Sequence, residues 1–138
     1  MAFNGTLVKI GSNNTPIPYK FMKSESYKCH PDQRMESSAK RVSTGKLHRV
    51  TCDHTATKVE WETPALWNDD MAELTALFDA NWISAKERKI RVNYYDTWTN
   101  THKVGEFYMP DPEMDIMRVD SVNHKILYAP MRIALIEY

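Results

Sequence analysis

Thirty consecutive residues, Gln33 to Glu62, have the composition of extended chain and yet cannot build a core of their own. Val, Thr and Arg or Lys recur through them, and apolar residues at helical spacing are missing. The apolar residues are sparse: Met35, Ala39, Val42, Leu47, Val50, Cys52, Ala56, Val59 and Trp61. A hairpin buried on one face carries an apolar residue at nearly every second position. Here Arg41, Lys46, His48 and Arg49 interrupt both faces around the turn Ser43-Thr44-Gly45-Lys46. The pattern predicts a long polar hairpin arm near 33–53, with strands near 33–43 and 46–53. The apolar register then changes parity, from Val50, Cys52 and Ala56 to Val59 and Trp61, which predicts a turn or bulge around Asp53–Ala56. Open backbone edges on a long polar hairpin are a liability in a monomer. They make sense where a neighbouring subunit completes them. The candidate assembly residues are Arg34, Lys40, Arg41, Gly45, Lys46, His48 and Arg49.

The charge distribution points the same way. Residues 1–58 hold ten Lys and Arg against four Asp and Glu, a net +6, and residues 59–138 hold eight against fourteen, a net −6. A chain with one basic and one acidic part suits head-to-tail contact between copies of itself. A nucleic-acid binder more often carries an overall positive excess, whereas this chain has a net charge of zero. With 138 residues, one domain over 1–138 is expected, burying about two-thirds of its unfolded surface. No apolar run approaches the roughly 20 residues that span a bilayer. The first residues, Met1-Ala2-Phe3-Asn4-Gly5, lack the pattern of a signal peptide, so the expected place is the cytosol or a particle assembled there.

The remaining pattern is of strands around one helix. Gly5–Ile10 reads as a first strand, stopped by Gly11-Ser12-Asn13-Asn14; Phe21 to Pro31 is ambiguous. A single helix is predicted near 69–81. Asn68 or Asp69 would be its N-cap, and Asp69, Asp70 and Glu73 load its first turn with negative charge. Met71, Leu74, Leu77, Phe78 and Trp82 fall on one stripe. Ile90, Val92 and Tyr94 alternate with Arg91, Asn93 and Tyr95 as a half-buried strand. Asp96–Thr101 is a turn without glycine, Val104–Met109 runs back, and Ser121–His124 turns again. Ile126–Tyr138 is apolar, with Pro130 marking an edge or a bulge. The fold class is therefore mainly β: an antiparallel sandwich or barrel with a single packed helix.

Motifs for catalysis are missing: no G-x-S-x-G turn, no H-E-x-x-H, no phosphate-binding glycine loop. Cys29, His30, Cys52 and His54 offer four zinc-ligand types, but their spacings are not those of tetrahedral sites. No metal, no cofactor and no enzymatic activity are expected. Tyr94, Tyr95, Trp98, Phe107 and Tyr108 would suit a platform for single-stranded nucleic acid, although aromatics in period-two strands more often pair across a sheet. A cytosolic nucleic-acid-binding β-barrel is the alternative reading.

The landmarks Arg41-x3-Gly45-x-Leu47-x-Arg49, the helix with Leu74 and Leu77, Val92-Asn93-Tyr94-Tyr95-Asp96, Phe107-Tyr108-Met109-Pro110-Asp111 and Leu135-Ile136-Glu137 occur in this order. Over residues 33–138 this resembles the short minor tail proteins of long-tailed phages and prophages of Gram-positive bacteria, which look related to the tail-tube and distal-tail fold. The resemblance implies a virion structural protein, assembled in the bacterial cytoplasm and packed with copies of itself into a ring of six. It would lie in the tube, the terminator or the tail tip, touching neighbouring tail proteins. DNA would be met only in passage through the channel.

Overall fold

The computed structural model describes residues 3–41, 45 and 47–138, with the side chains of 32, 34–41 and 47–55 left out. Its strands are β1 (Val8–Ile10), β2 (Thr15–Pro16), β3 (Lys28–Arg41), β4 (Leu47–Glu62), β5 (Leu66–Trp67), β6 (Lys89–Asp96), β7 (Thr101–Tyr108), β8 (Ile116–Asp120), β9 (Lys125–Tyr128) and β10 (Arg132–Glu137). The one α-helix among the described residues, α1 (Asn68–Asp79), lies between β5 and β6. Seven strands form one sheet in the order β2-β1-β6-β7-β10-β4-β3, and three form a second in the order β5-β9-β8. The pairings are antiparallel throughout. The protein is thus mainly β with a single helix, as the sequence pattern predicts.

Alternation builds the large sheet. Ile90, Val92, Tyr94 and Asp96 of β6 are buried and the residues between them are half-buried. Thr57, Val59 and Trp61 of β4, Ile133 and Leu135 of β10, and Val8 and Ile10 of β1 join them in the core. Helix α1 adds Met71, Leu74 and Phe78, with Leu77 and Trp82 packed at the margin. The helix starts differently from the expected Asn68 or Asp69 cap. Trp67 holds the N-cap position without a side-chain cap bond, because Asn68 Oδ1 is taken by the backbone N–H of Ile126 at 3.3 Å. That bond ties the helix start to β9.

Phe21 to Pro31, ambiguous in sequence, contains two 3₁₀ turns, Tyr19–Phe21 and Ser24–Ser26, and the start of β3. Phe21 and Met22 enter the core. The hydroxyl of Tyr27 donates to the carbonyl of Tyr95 at 2.7 Å. Since β7, β10 and β4 separate β6 from β3 in the sheet order, this contact requires the large sheet to curl back on itself.

Four tight reversals share one design. The loops 11–14, 85–88, 97–100 and 121–124 each hold four residues between paired flanks. In each the fourth residue takes positive φ: Asn14 52°, Arg88 51°, Asn100 56° and His124 54°. Asn and His tolerate this region better than most side chains, so Asn100 does the work of the glycine missing from the Asp96–Thr101 turn. Asp residues pin two of the loops. Asp96 Oδ1 accepts the N–H groups of Trp98 at 2.8 Å and Thr99 at 3.3 Å, and Asp120 Oδ1 accepts those of Val122 at 3.2 Å and Asn123 at 3.1 Å. These are Asx-type turns. Among the described residues, no helix is long and apolar enough to cross a membrane.

Candidate functional site

The hairpin β3–β4 divides into a root inside the large sheet and a ribbon outside it. At the root, Arg132 to Ile136 of β10 pair with Glu62 to Lys58 of β4, and Lys28 to His30 of β3 pair with Glu60 to Lys58 on the other side. Beyond Lys58 the pairing with β10 stops, while β3 and β4 continue together from Gln33↔Ala56 to Arg41↔Leu47. Nine residues of β3 at about 3.3 Å each give the ribbon a length of about 30 Å. This is close to the diameter of a globular body of this chain length.

The departure point has its own chemistry. The N–H of Thr57 is the first that β10 does not reach, and Glu137 Oε1 accepts it at 3.0 Å. A carboxylate thereby satisfies a backbone donor where the ladder ends, which a nearly buried residue needs. Thr57 also hydrogen-bonds the Tyr94 hydroxyl; burial raises the pKa of that phenol and the Thr57 bond opposes the rise. On the outer face, Glu60 meets Arg132, Lys58 at 3.5 Å and His30 at 3.6 Å. Burial works against its charge, but Arg132 and Lys58 outweigh it and hold the carboxyl below its ordinary value.

The ribbon itself is irregular. Register shifts fall between His30 and Gln33, Arg34 and Glu36, and Glu36 and Ser38. The second falls in the region Asp53–Ala56 where a turn or bulge is expected: Arg34 faces Thr55 and Glu36 faces Thr51, so β4 spends four residues where β3 spends two. The first contains Pro31, which has no N–H to give a ladder and is tolerated at a bulge or an edge. The hairpin is longer than the expected 33–43 and 46–53 because its inner half belongs to the main sheet.

The sequence-predicted assembly residues distribute unequally. Lys40 faces His48, Ala39 faces Arg49 and Arg41 faces Leu47, so four of them meet in three consecutive rungs at the outer end. Arg34 sits apart, facing Thr55. Gly45 is exposed at φ 83°, a left-handed conformation that glycine adopts without the Cβ penalty. Lys46 lies outside the described residues, as do Ser43 and Thr44 of the expected turn and Val42 before it. The side chains of Arg34, Lys40, Arg41, His48 and Arg49 are likewise outside them.

Other groups with chemical potential are taken up by structure. Cys29 packs against the core, and burial pushes its thiol pKa up. Its neighbour His30 points to Glu60 on the opposite strand face. Cys52 and His54 have no described side chains, and among the described residues no group of three metal-ligating side chains occurs. Tyr94 and Phe107 pack edge-to-face at 5.3 Å between centroids in the core, while Trp98 is 83% exposed at its loop tip. A largely apolar cleft of about 180 Å³ lies between α1 and residues 109–114, lined by Leu74, Phe78, Trp82, Met109 and Pro112 among others. Its polar groups are already paired: Asp79 with the Trp82 indole N–H at 2.9 Å, and Arg88 with Asp111.

Sequence reasoning missed Thr57 and Glu137 as a pair, eighty residues apart, and the outward character of β8. Ile116, Met117 and Val119 are all exposed there. A signal was present: Ile116 and Met117 are adjacent, and a strand with one buried face does not show two neighbouring apolar residues without a bulge.

The profile of DUF6711, a family of unknown function, matches residues 1–138. The chain belongs to DUF6711. The span matched by DUF6711 includes the ribbon as well as the body. No curated protein and no solved structure matches the chain.

Proposed function

We propose that this chain is a structural protein of a phage or prophage tail, made in the bacterial cytoplasm, which joins copies of itself into a ring. One observation carries the assembly reading: among the described residues, the ribbon of about 30 Å beyond Thr57 has no strand partner besides its own two strands. A two-stranded ribbon is marginal in water on its own, and its open edges invite another chain. Strand addition from a neighbour would satisfy them. The basic first part and acidic second part of the chain favour contact between unlike surfaces, and such heterologous contacts close into rings when the rotation allows. The tail assignment, the six copies and the contact with neighbouring tail proteins rest on the resemblance of residues 33–138. Tube, terminator and tail-tip positions all agree with it, and the role involves no catalysis.

Deleting residues 40–50 should leave a folded monomer that no longer associates, measured by light scattering after size exclusion. Unfolding, or association equal to that of the intact chain, would sink the ribbon reading. For the tail assignment, mass spectrometry of particles purified from a lysogen carrying the gene should find the chain at fixed stoichiometry, and its absence from tails contradicts that assignment.

A further inference from the structure

Strand β8 is another terminal strand, at the edge of the small sheet. In the order β5-β9-β8 it is terminal, and among the described residues it pairs with β9 alone. Natural edge strands are blunted by charge, proline or a cover. Strand β8 has instead Ile116, Met117 and Val119 exposed out of five residues, followed by Val122 at 84% exposure on the loop tip. Met117 falls within a register irregularity between Ile116 and Arg118, so these apolar residues are not divided neatly between two faces. The approach to the strand is acidic. Residues 110–120 contain Asp111, Glu113, Asp115 and Asp120 against Arg118 alone, a net −3, with Lys125 following on β9. The ribbon is its complement: residues 33–55 contain five Lys and Arg against two Asp and Glu, a net +3. Its sequence also contains the apolar residues Met35, Leu47 and Val50.

We propose that the β8 edge is the receptor for the β3–β4 ribbon of a second copy of this chain. The contact extends the small sheet by strand addition, covers Ile116, Met117 and Val119, and sets the basic ribbon against the acidic approach. The inference rests on the assembly reading above and adds its missing half, the surface that receives the arm. Because donor and receptor are different surfaces, the contact is head-to-tail and each copy both gives and receives.

Complementation tests it. Val119→Lys keeps the ribbon and spoils the receptor, and its 63% exposure makes the change compatible with folding; Ile116→Lys is the second variant, with near-ultraviolet circular dichroism as the control. The chain lacking residues 40–50 keeps the receptor and loses the outer end of the ribbon with its basic rungs. Sedimentation velocity should show each variant as a monomer, with the apparent Kd of self-association raised at least tenfold. Mixed, the two should form a one-to-one dimer that grows no further. An edge variant that folds and assembles like the intact chain, or a mixture that stays monomeric, overturns the receptor assignment and leaves the ribbon reading standing. If the deleted chain still associates, or the intact chain never does, the ribbon reading itself fails and this inference with it.

Discussion

The two halves of the β3–β4 hairpin have the same secondary structure and opposite physics. At the root, Thr57, Val59 and Trp61 of β4 are buried at alternate positions, β10 pairs along one side, and Glu137 satisfies the N–H at which that pairing ends. In the ribbon the same two strands continue with no third strand among the described residues, and with Arg34, Lys40, Arg41 and Arg49 where a core would need apolar residues. The root is held by the fold. Among the described residues the ribbon shows only its own ladder, and a two-stranded ribbon is marginal in water by itself. The difference teaches that strand propensity sets where chain is extended, whereas burial decides what an extended segment is for.

The sharpest way to break this contrast is to mutate both halves. Trp61→Ala at the root should cost about 3–5 kcal/mol, the usual cost of emptying a buried aromatic site. The double charge reversal Arg41→Glu, Arg49→Glu in the ribbon should change monomer stability by less than about 0.5 kcal/mol. Denaturant titration in dilute solution reads both. Equal effects would mean that the ribbon is part of the core structure.

A smaller effect marks the border between the halves. Glu137→Ala removes the acceptor of the Thr57 N–H and should cost about 1–3 kcal/mol, the usual range for a polar group left unpaired away from water. Glu137→Gln keeps an acceptor oxygen and should recover most of this. If both variants match the intact chain, water replaces the carboxylate and the border needs no such device.

In the body, the smallest expected effect is one of pH. Burial opposes the charge of Asp96, but Lys103 at 2.9 Å and the N–H groups of Trp98 and Thr99 outweigh it and hold the carboxyl below its ordinary range. A depressed folded pKa contributes stability that is fully present above the unfolded value of about 3.9. That stability is lost as pH falls through the lower folded value. Asp96→Asn should therefore be less stable than the intact chain at neutral pH and converge with it below the ordinary carboxylate range. A constant difference across that window would remove the charge of Asp96 from the explanation.

Much of this was legible in the sequence because it is written in local period. The stripe Met71, Leu74 and Phe78 gives the helix, the alternation Ile90, Val92 and Tyr94 gives β6, and the broken apolar register between Cys52 and Val59 marks the stretch where the β3–β4 pairing shifts. The Asp96 and Asp120 turns were visible as polar clusters, though not their shared four-residue design. Other features depend on partners far along the chain. Lys28–His30 lies in the stretch that is ambiguous in sequence, because strand identity there comes from pairing with Lys58–Glu60. Glu137 looked like one more residue of a terminal strand, and only the departure of β4 from the sheet gives its carboxylate a task. The splitting of the strands into sheets of seven and three has no local signature at all.

Hydrogen exchange at low and high protein concentration tests the central claim most directly. Amides of residues 33–41 and 47–56 should gain protection as copies associate, while those of α1 and of β4 from Lys58 to Glu62 should be protected at both concentrations. Ribbon amides already protected to the level of the root in dilute monomer, or unchanged when the chain associates, would contradict the division of this hairpin into a half that folds and a half that assembles.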